Sequence, residues 1–236
     1  MLTIEEDLVL NEFEVKKSID LQVSKNHNIE FIIYPFSNII EELIKYTLKC
    51  ILLKFDKVMI ANTVYNIMFE SILNGLKANA KKLFFIEKSL NILNTEEYKT
   101  GIIAFKKHIN KTNLRKYGEL NKGKGVFVKV HFNFNDGGMQ VEIVNNTMLL
   151  PSEEIRIREK LAMGEKYDSL MNYYIDNADA TEGEGLGLVL SLILLKAEKL
   201  DPSLYRIGTK DGITFARIEI PFNHNFISKR HHALEQ

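Results

Sequence analysis

Tryptophan is absent from this 236-residue chain, cysteine occurs once and proline only four times. The single thiol, Cys50, lies in an apolar helical pattern, which excludes an intrachain disulfide framework and a cysteine zinc cluster and matches a reducing cytoplasm. An excess of one charge is missing as well: 31 Lys and Arg balance 31 Asp and Glu, and the pI is near 7.0. Without a global basic field, binding to a phosphate backbone loses its usual driving force, so no nucleic-acid partner is expected. The longest strictly apolar runs are far too short to span a bilayer. The start, Met1-Leu-Thr-Ile-Glu-Glu-Asp, is acidic where a signal peptide is basic. A soluble protein with no membrane partner is the expectation. No internal repeat is visible, and the abundance of Lys, Asn and Ile reads as codon bias rather than a functional tract.

The composition, 45% apolar, is enough for one substantial core with a modest extension. Residues 29–36 read as a strand ended by Pro35, after an N-terminal extension, 1–28, that offers an added strand near Phe13–Leu21. A helix follows, with Asn38 and Glu41 as capping box and Ile40, Leu43, Ile44, Leu48, Ile51, Leu52 and Phe55 at helical spacing. A second helix runs from about Met59 to Phe84. The polar block 86–122 starts a helix at Asn94-Thr-Glu-Glu, carries it through Tyr98–Ile109, and then becomes a lysine-rich connection. Alternating apolar residues at Val126–Phe134 and Met139–Ile143, around Asn135-Asp-Gly-Gly, predict a half-buried hairpin. Residues 151–182 are acidic, polar and expected to be mobile. A glycine loop and a helix to about Leu200 come next, then a hairpin, Tyr205–Lys210 and Ile213–Phe222, turning at Asp211-Gly212. Helices segregated from a mixed, mostly antiparallel sheet predict an α+β fold, a two-layer α/β sandwich with helices on one face. Residues 223–236 form a tail.

Two segments carry candidate chemistry. Residues 183–188 read Gly-Glu-Gly-Leu-Gly-Leu and run straight into Val-Leu-Ser-Leu-Ile-Leu-Leu. Spaced glycines let backbone N–H groups approach an anion, and a helix start adds unpaired donors and the positive end of a dipole. On its own the loop is equally a tight turn. In the second helix, Glu70, Asn74, Lys77 and Lys81 share one stripe at 100° per residue, facing away from Val64, Tyr65, Met68, Phe69, Ile72 and Leu76. A solvated helix face explains the stripe. So does a phosphate site, because a carboxylate, an amide oxygen and an ammonium on successive turns take a proton, ligate Mg²⁺ and neutralise a phosphate.

Glu70-Ser-Ile-Leu-Asn74-Gly-Leu-Lys77 resembles the N box of the GHKL superfamily, the histidine-kinase-like ATPases. Gly183–Leu188 is similar to its G2 box at the end of an ATP lid, and Gly212-Ile-Thr214-Phe-Ala-Arg-Ile-Glu-Ile-Pro221 resembles its terminal Gly-x-Thr strand. The resemblance covers roughly residues 29–222, with 86–122 as an insertion and 151–182 as the lid. It implies a Bergerat fold binding ATP and Mg²⁺. Glu70 would be the general base or would orient the nucleophile, Asn74 the Mg²⁺ ligand and Lys77 a phosphate contact. Gly183, Gly185 and Gly187, with Leu186 and Leu188 between and after them, would wrap the triphosphate through backbone amides, and Thr214 would stand behind the adenine.

The family's Asp-x-Gly-x-Gly, whose aspartate accepts from the adenine amino group, is here Asn145-Asn146-Thr147-Met148-Leu149. Asn145 can still accept through its side-chain oxygen or donate through its amide. Replacing a charged acceptor by a neutral one costs on the order of 1 kcal/mol. Both a working variant and a degenerate adenine site follow from this departure. Glu182 and Glu184 are expected to point outward from the loop.

The layout is closest to that of stand-alone anti-sigma-factor serine kinases, which implies a cytoplasmic switch kinase passing the ATP γ-phosphoryl group to a protein partner. The alternative is a non-catalytic, nucleotide-dependent regulator binding a partner through its lid, and the resemblance also allows a homodimer. His27 reads as a surface-loop residue rather than a phosphoacceptor. His224, His231 and His232 read as a solvated tail rather than a metal site. Tyr167, Tyr173 and Tyr174 read as lid packing.

Overall fold

A computed structural model describes residues 1–5, 11–177 and 185–229. The chain runs β1 (Leu2–Glu5), α1 (Glu12–Ser24), β2 (Ile29–Ile33), α2 (Asn38–Lys54), α3 (Ala61–Glu87), α4 (Thr95–His108), α5 (Lys111–Lys122), β3 (Val128–Asn135), β4 (Gly138–Asn145), α6 (Pro151–Lys166), α7 (Leu170–Asp176), α8 (Leu186–Ala197), β5 (Tyr205–Lys210) and β6 (Ile213–Pro221). The strands form an open six-stranded sheet in the order β1-β2-β3-β4-β6-β5. β1 pairs parallel with β2, and the other pairings are antiparallel. The fold is α+β with a mixed sheet.

Period-two alternation sets which sheet face is buried. Ile29, Phe31 and Ile33 on β2, Val128, Val130, Phe132 and Phe134 on β3, Met139, Val141 and Ile143 on β4, and Ile218 and Ile220 on β6 join the apolar positions of α2, α3 and α8 in one core. The opposite face is polar. Glu30, His131, Glu142 and Arg217 are successive cross-strand neighbours on it. The chain after β6 folds back over this face: Phe226 fills the space that a side chain at Gly138 would need, and Lys229 reaches Glu142 at 3.3 Å.

Both predicted hairpins form. The second turns at Asp211 (φ 52°) and Gly212 (φ 77°), the paired left-handed residues that a two-residue hairpin requires. Four local expectations are corrected. Residues 13–21 are helix α1 rather than a strand: Asn11 caps it, accepting from the N–H of Phe13 at 3.0 Å, and Ile19 and Val23 recur at helical spacing as its buried positions. The added edge strand is β1. The cap of α2 is Ser37, whose hydroxyl accepts from Ile40 N–H at 3.3 Å, whereas Glu41 accepts from the Tyr65 hydroxyl at 2.9 Å.

The lysine-rich connection is helix α5, capped by Asn110. With α4 and the last turns of α3 it builds a separate apolar cluster of Phe84, Phe85, Phe105 and Tyr117. Finally, the segment expected to be mobile is, as far as Asn177, mostly helix. α6 packs closely on α8, with Gly164 against Leu192 and Val189. Tyr173 is buried with Val189 and Ile193, with Tyr167 packed against them, while Tyr174 is exposed. The expectation that 178–182 continue this lid lies outside the described residues.

Candidate functional site

α3 supplies one wall of the site. Asn74 Nδ2 donates to Glu70 Oε1 at 3.0 Å, a bond across one helical turn that leaves Asn74 Oδ1 free of it. Asn74 and Lys77 are exposed and Glu70 is half-buried. Lys81 departs from the expected solvated stripe: its side chain is 9% exposed and pairs with Glu153 on α6. The same carboxylate accepts from the Tyr98 hydroxyl at 3.1 Å and from Leu150 N–H at 3.2 Å. Burial alone would push the Glu153 carboxyl up, yet the Lys81 ammonium and these donors hold it below its ordinary value. Lys81 is therefore a tie between α3 and the start of α6.

The second wall is the start of α8. Gly185 is its N-cap, in the left-handed region at φ 78°, and no side chain caps the helix. The first N–H groups therefore lack an intrahelical partner. Gly187 lies against Glu70: a Cβ placed on Gly187 would be 2.2 Å from the Glu70 carboxyl carbon. The Lys160 side chain of α6 lies over Gly185, its Cγ 2.9 Å from where a Cβ would be. Leu188 is buried in the main core and Leu186 packs beside Tyr173 and Val189, so these two anchor the helix start through their side chains. Gly183, Glu182 and Glu184 lie outside the described residues, as do His231 and His232.

The floor is formed where β4 ends and β6 begins. Asn145 and Thr214 are registered partners, both buried. Thr214 Oγ1 donates to the Thr147 carbonyl at 2.6 Å, and Asn145 Nδ2 donates to that same oxygen at 3.2 Å. Thr147 Oγ1 donates to Asn79 Oδ1 at 2.7 Å, while Asn79 Nδ2 donates to the Phe127 carbonyl at 3.1 Å. Gly75 lets α3 approach this floor, since its missing Cβ would be 3.5 Å from Asn145 Cβ and 3.0 Å from Val128 Cγ2. Of the two options open to Asn145, accepting or donating, the structure shows donation: its amide nitrogen faces the Thr147 carbonyl, which can only accept.

The structure thus groups Glu70 with Asn74 and Gly187, and Asn145 with Thr214, at two ends of one stretch of α3. The sequence reading missed Asn79, Thr147 and Lys160. Asn79 carried a signal: it shares the core-facing side of α3 with Ile72, Leu76 and Leu83, where a polar residue needs a partner. Thr147 and Lys160 carried none. Glu70 is linked onward, since its neighbour Ser71 meets the Tyr205 hydroxyl at 3.1 Å, and burial pushes that phenol up to about 12. Tyr205 also borders a cleft of about 560 Å³ between α6 and the β5–β6 edge, lined among others by Arg158, Leu161, Arg206 and Phe215. None of the expected site residues lines that cleft. His27 and His224 are exposed, and among the described residues no group of His, Cys, Asp or Glu could hold a metal ion. No helix of the described residues is long and apolar enough to cross a membrane.

No family model matches this chain, and no solved structure does. The chain is similar to an uncharacterized protein of Treponema pallidum (strain Nichols), with 28% identity over 216 residues. That match covers 92% of this chain and 41% of the relative, so the chain spans about two fifths of the relative's length.

Proposed function

We propose that the junction of α3, the start of α8 and the β4–β6 strand ends is a purine nucleoside triphosphate site of the Bergerat, histidine-kinase-like type, with ATP and Mg²⁺ as the ligands of the resembled family. In this reading the protein is a cytoplasmic switch kinase that passes the γ-phosphoryl group to a protein partner. The observation that carries the reading is the contact of Gly187 with Glu70. It brings an uncapped helix start and a glycine turn up to a Glu–Asn pair, and these are the groups that an anionic triphosphate and its cation need. The donor set fits a hard cation: the Asn74 amide oxygen lies outside its bond to Glu70, and a carboxylate is beside it.

Each residue then has a role. Asn74 would hold Mg²⁺, which when bound neutralises charge on the triphosphate. Lys77 and Lys160 supply cations from opposite walls, and the N–H groups of Leu186, Gly187 and Leu188 face the phosphates. The Glu70 carboxylate would take the proton of the partner's serine, threonine or histidine acceptor as that atom bonds to the γ-phosphorus and the β–γ bridging oxygen leaves. Asn145, Asn79 and Thr214 receive the base.

One observation favours a second reading, a nucleotide-gated regulator without transfer: Asn145, Asn79 and Thr214 are already bonded to Thr147. Titration calorimetry with AMPPNP and with GMPPNP, each with and without Mg²⁺, tests the site, with Asn74→Ala as control. Mg²⁺-dependent binding lost in Asn74→Ala supports it, and silence from both analogues with folded protein refutes it. Phosphoryl transfer abolished in Glu70→Ala with nucleotide binding retained supports the kinase. Binding without transfer to any partner by the unaltered protein leaves the regulator.

A further inference from the structure

We propose that the cleft between α6 and β5 takes an extended segment of a partner protein, which pairs as an added strand with the open edge of β5 and alternates acidic with apolar residues. The inference does not depend on the nucleotide reading, because none of the residues given a role there borders the cleft. Its support is a row of outward-facing backbone groups, a cleft in front of them, and the charge beside it.

β5 ends the sheet order, so one side of its backbone meets β6 and the other meets no strand. Which groups face out follows from the hairpin. Asp211 and Gly212 form a two-residue turn, so Lys210 and Ile213 exchange both backbone hydrogen bonds, and Gly208 and Arg206 do the same with their own partners on β6. The N–H and C=O groups of Ile207 and Thr209 therefore point away from β6, with the Tyr205 carbonyl in line behind them. The Tyr205 N–H is taken by the Pro202 carbonyl. Among the described residues no backbone group bonds to these outward N–H and C=O groups of Ile207 and Thr209 or to the Tyr205 carbonyl. An edge in this state is a template for another chain.

The cleft, about 560 Å³, is bordered from both faces of the hairpin, by Ile207 on the core side and Phe215 on the polar side, so the edge itself is its wall. Across from it stands α6, which leaves room for a single extended chain rather than a second sheet. Strand alternation then sets the composition of that chain. A residue opposite Ile207 points to the core side, toward Leu161 and Leu192, and is apolar. Its neighbour opposite Arg206 points to the polar face, where Arg206 and Arg217 are cross-strand partners. Like charges so placed repel, and a carboxylate from the added strand offsets that repulsion. Arg206, on the edge strand, is the one placed to meet it. The glutamates that border the cleft, Glu154 and Glu165, lie on α6 instead, and Glu154 bonds Arg158 at 3.1 Å.

The test selects binders for the full chain from a random peptide library displayed on phage, then titrates the enriched peptides as synthetic material. Enriched sequences should alternate acidic and apolar residues, and their binding should slow hydrogen exchange at the Ile207 and Thr209 amides. Thr209→Pro removes an N–H that faces the partner and leaves the β6 ladder whole, as proline on an edge strand can, so it should weaken these peptides at least tenfold. Arg206→Glu should reverse the preference from acidic to basic peptides, and it keeps the test decisive where the proline variant fails to fold. Peptides that bind both variants as tightly as the parent overturn the proposal. So does folded protein that enriches no peptide, or only peptides without acidic residues. Sedimentation velocity covers the remaining occupant: a dimer of the unaltered chain that Thr209→Pro dissociates assigns the edge to a second copy and overturns the proposal as well.

Discussion

Gly187 stands directly against the Glu70 carboxyl group, with no room for a methyl group between them: a Cβ would be 2.2 Å from Glu70 Cδ and from Oε1. What it would strike is the free end of a flexible side chain, so the fold can yield without moving backbone. Gly187 is also helical, where alanine is favoured over glycine by roughly 1 kcal/mol. Gly187→Ala should therefore melt at or slightly above the parent temperature. Its cost should fall on Glu70, which must swing away from Asn74 and the helix start. If the protein transfers a phosphoryl group as proposed, Gly187→Ala should lose at least tenfold in that transfer, with nucleotide affinity changed less. A variant that melts several degrees lower would show that the contact is part of the core rather than of the site.

The Lys81–Glu153 pair gives a second test. Both side chains are about nine-tenths buried, so removing one partner strands a charge, which costs about 3–5 kcal/mol. Lys81→Met should lose about that much in a denaturant melt, and Lys81→Met with Glu153→Gln should regain most of it. The pH dependence has a definite sign. The folded Glu153 carboxyl lies below its ordinary value of 4.5, so its contribution is complete above that pH and is lost as pH falls below it. Acid unfolding monitored by circular dichroism should thus start at higher pH in Lys81→Met, where the carboxyl loses the ammonium that depresses it. Equal acid midpoints in the two proteins would refute the assignment.

The sheet was readable because its signals are local. Alternation in 126–134 and 139–143, and Asp211-Gly212 between two strands, fix face and turn within a few residues. The α1 error was also local: the polar stretch 13–24 has only two buried positions, Ile19 and Val23, one helical turn apart behind an Asn11 cap, and the cap outweighs weak alternation. The stripe on α3 fails at Lys81 for another reason. Helical angle tells which residues share a side, and it does not tell that α6 and the Tyr98 helix will cover one end of that side. Asn79 and Thr147 are further still from sequence reasoning, since their partners arrive from Phe127 and Thr214 across the fold. What residue spacing did give is that Glu70 and Asn74 lie one helical turn apart on α3, within bonding reach.

Helix α5 supplies a third test at Gly118. A Cβ there would lie 2.6 Å from Pro35 Cα and 2.7 Å from the Tyr34 carbonyl oxygen, both backbone atoms, so α5 must lift from the turn after β2. Overpacking of this kind costs about 1–3 kcal/mol. Gly118→Ala should lose stability in that range. It should also raise hydrogen exchange across α4 and α5 more than across β3 and β4, because these helices and the end of α3 share an apolar cluster separate from the main core. Uniform loss of protection would show that these helices and the sheet open together.

At alkaline pH the informative group is Tyr205, which joins the edge strand β5 to the helix that carries Glu70. Its phenol is pushed up to about 12, chiefly by burial, against about 10 for the unfolded chain. A group raised in the folded state contributes stability fully below its unfolded value and loses that contribution as pH climbs toward the folded one. Stability should therefore fall between about pH 10 and 12, with Tyr98 and Tyr117, also raised to about 12, adding to the slope. Tyr205→Phe removes one late-titrating phenol from the absorbance titration at 295 nm. Ser71 keeps its bond to the Ile67 carbonyl at 2.9 Å, so no hydroxyl is stranded and the cost at neutral pH should be about 1 kcal/mol. If Glu70 is held through this contact, the variant will also weaken the proposed phosphoryl transfer. Unchanged transfer with the expected loss of stability would confine Tyr205 to the core.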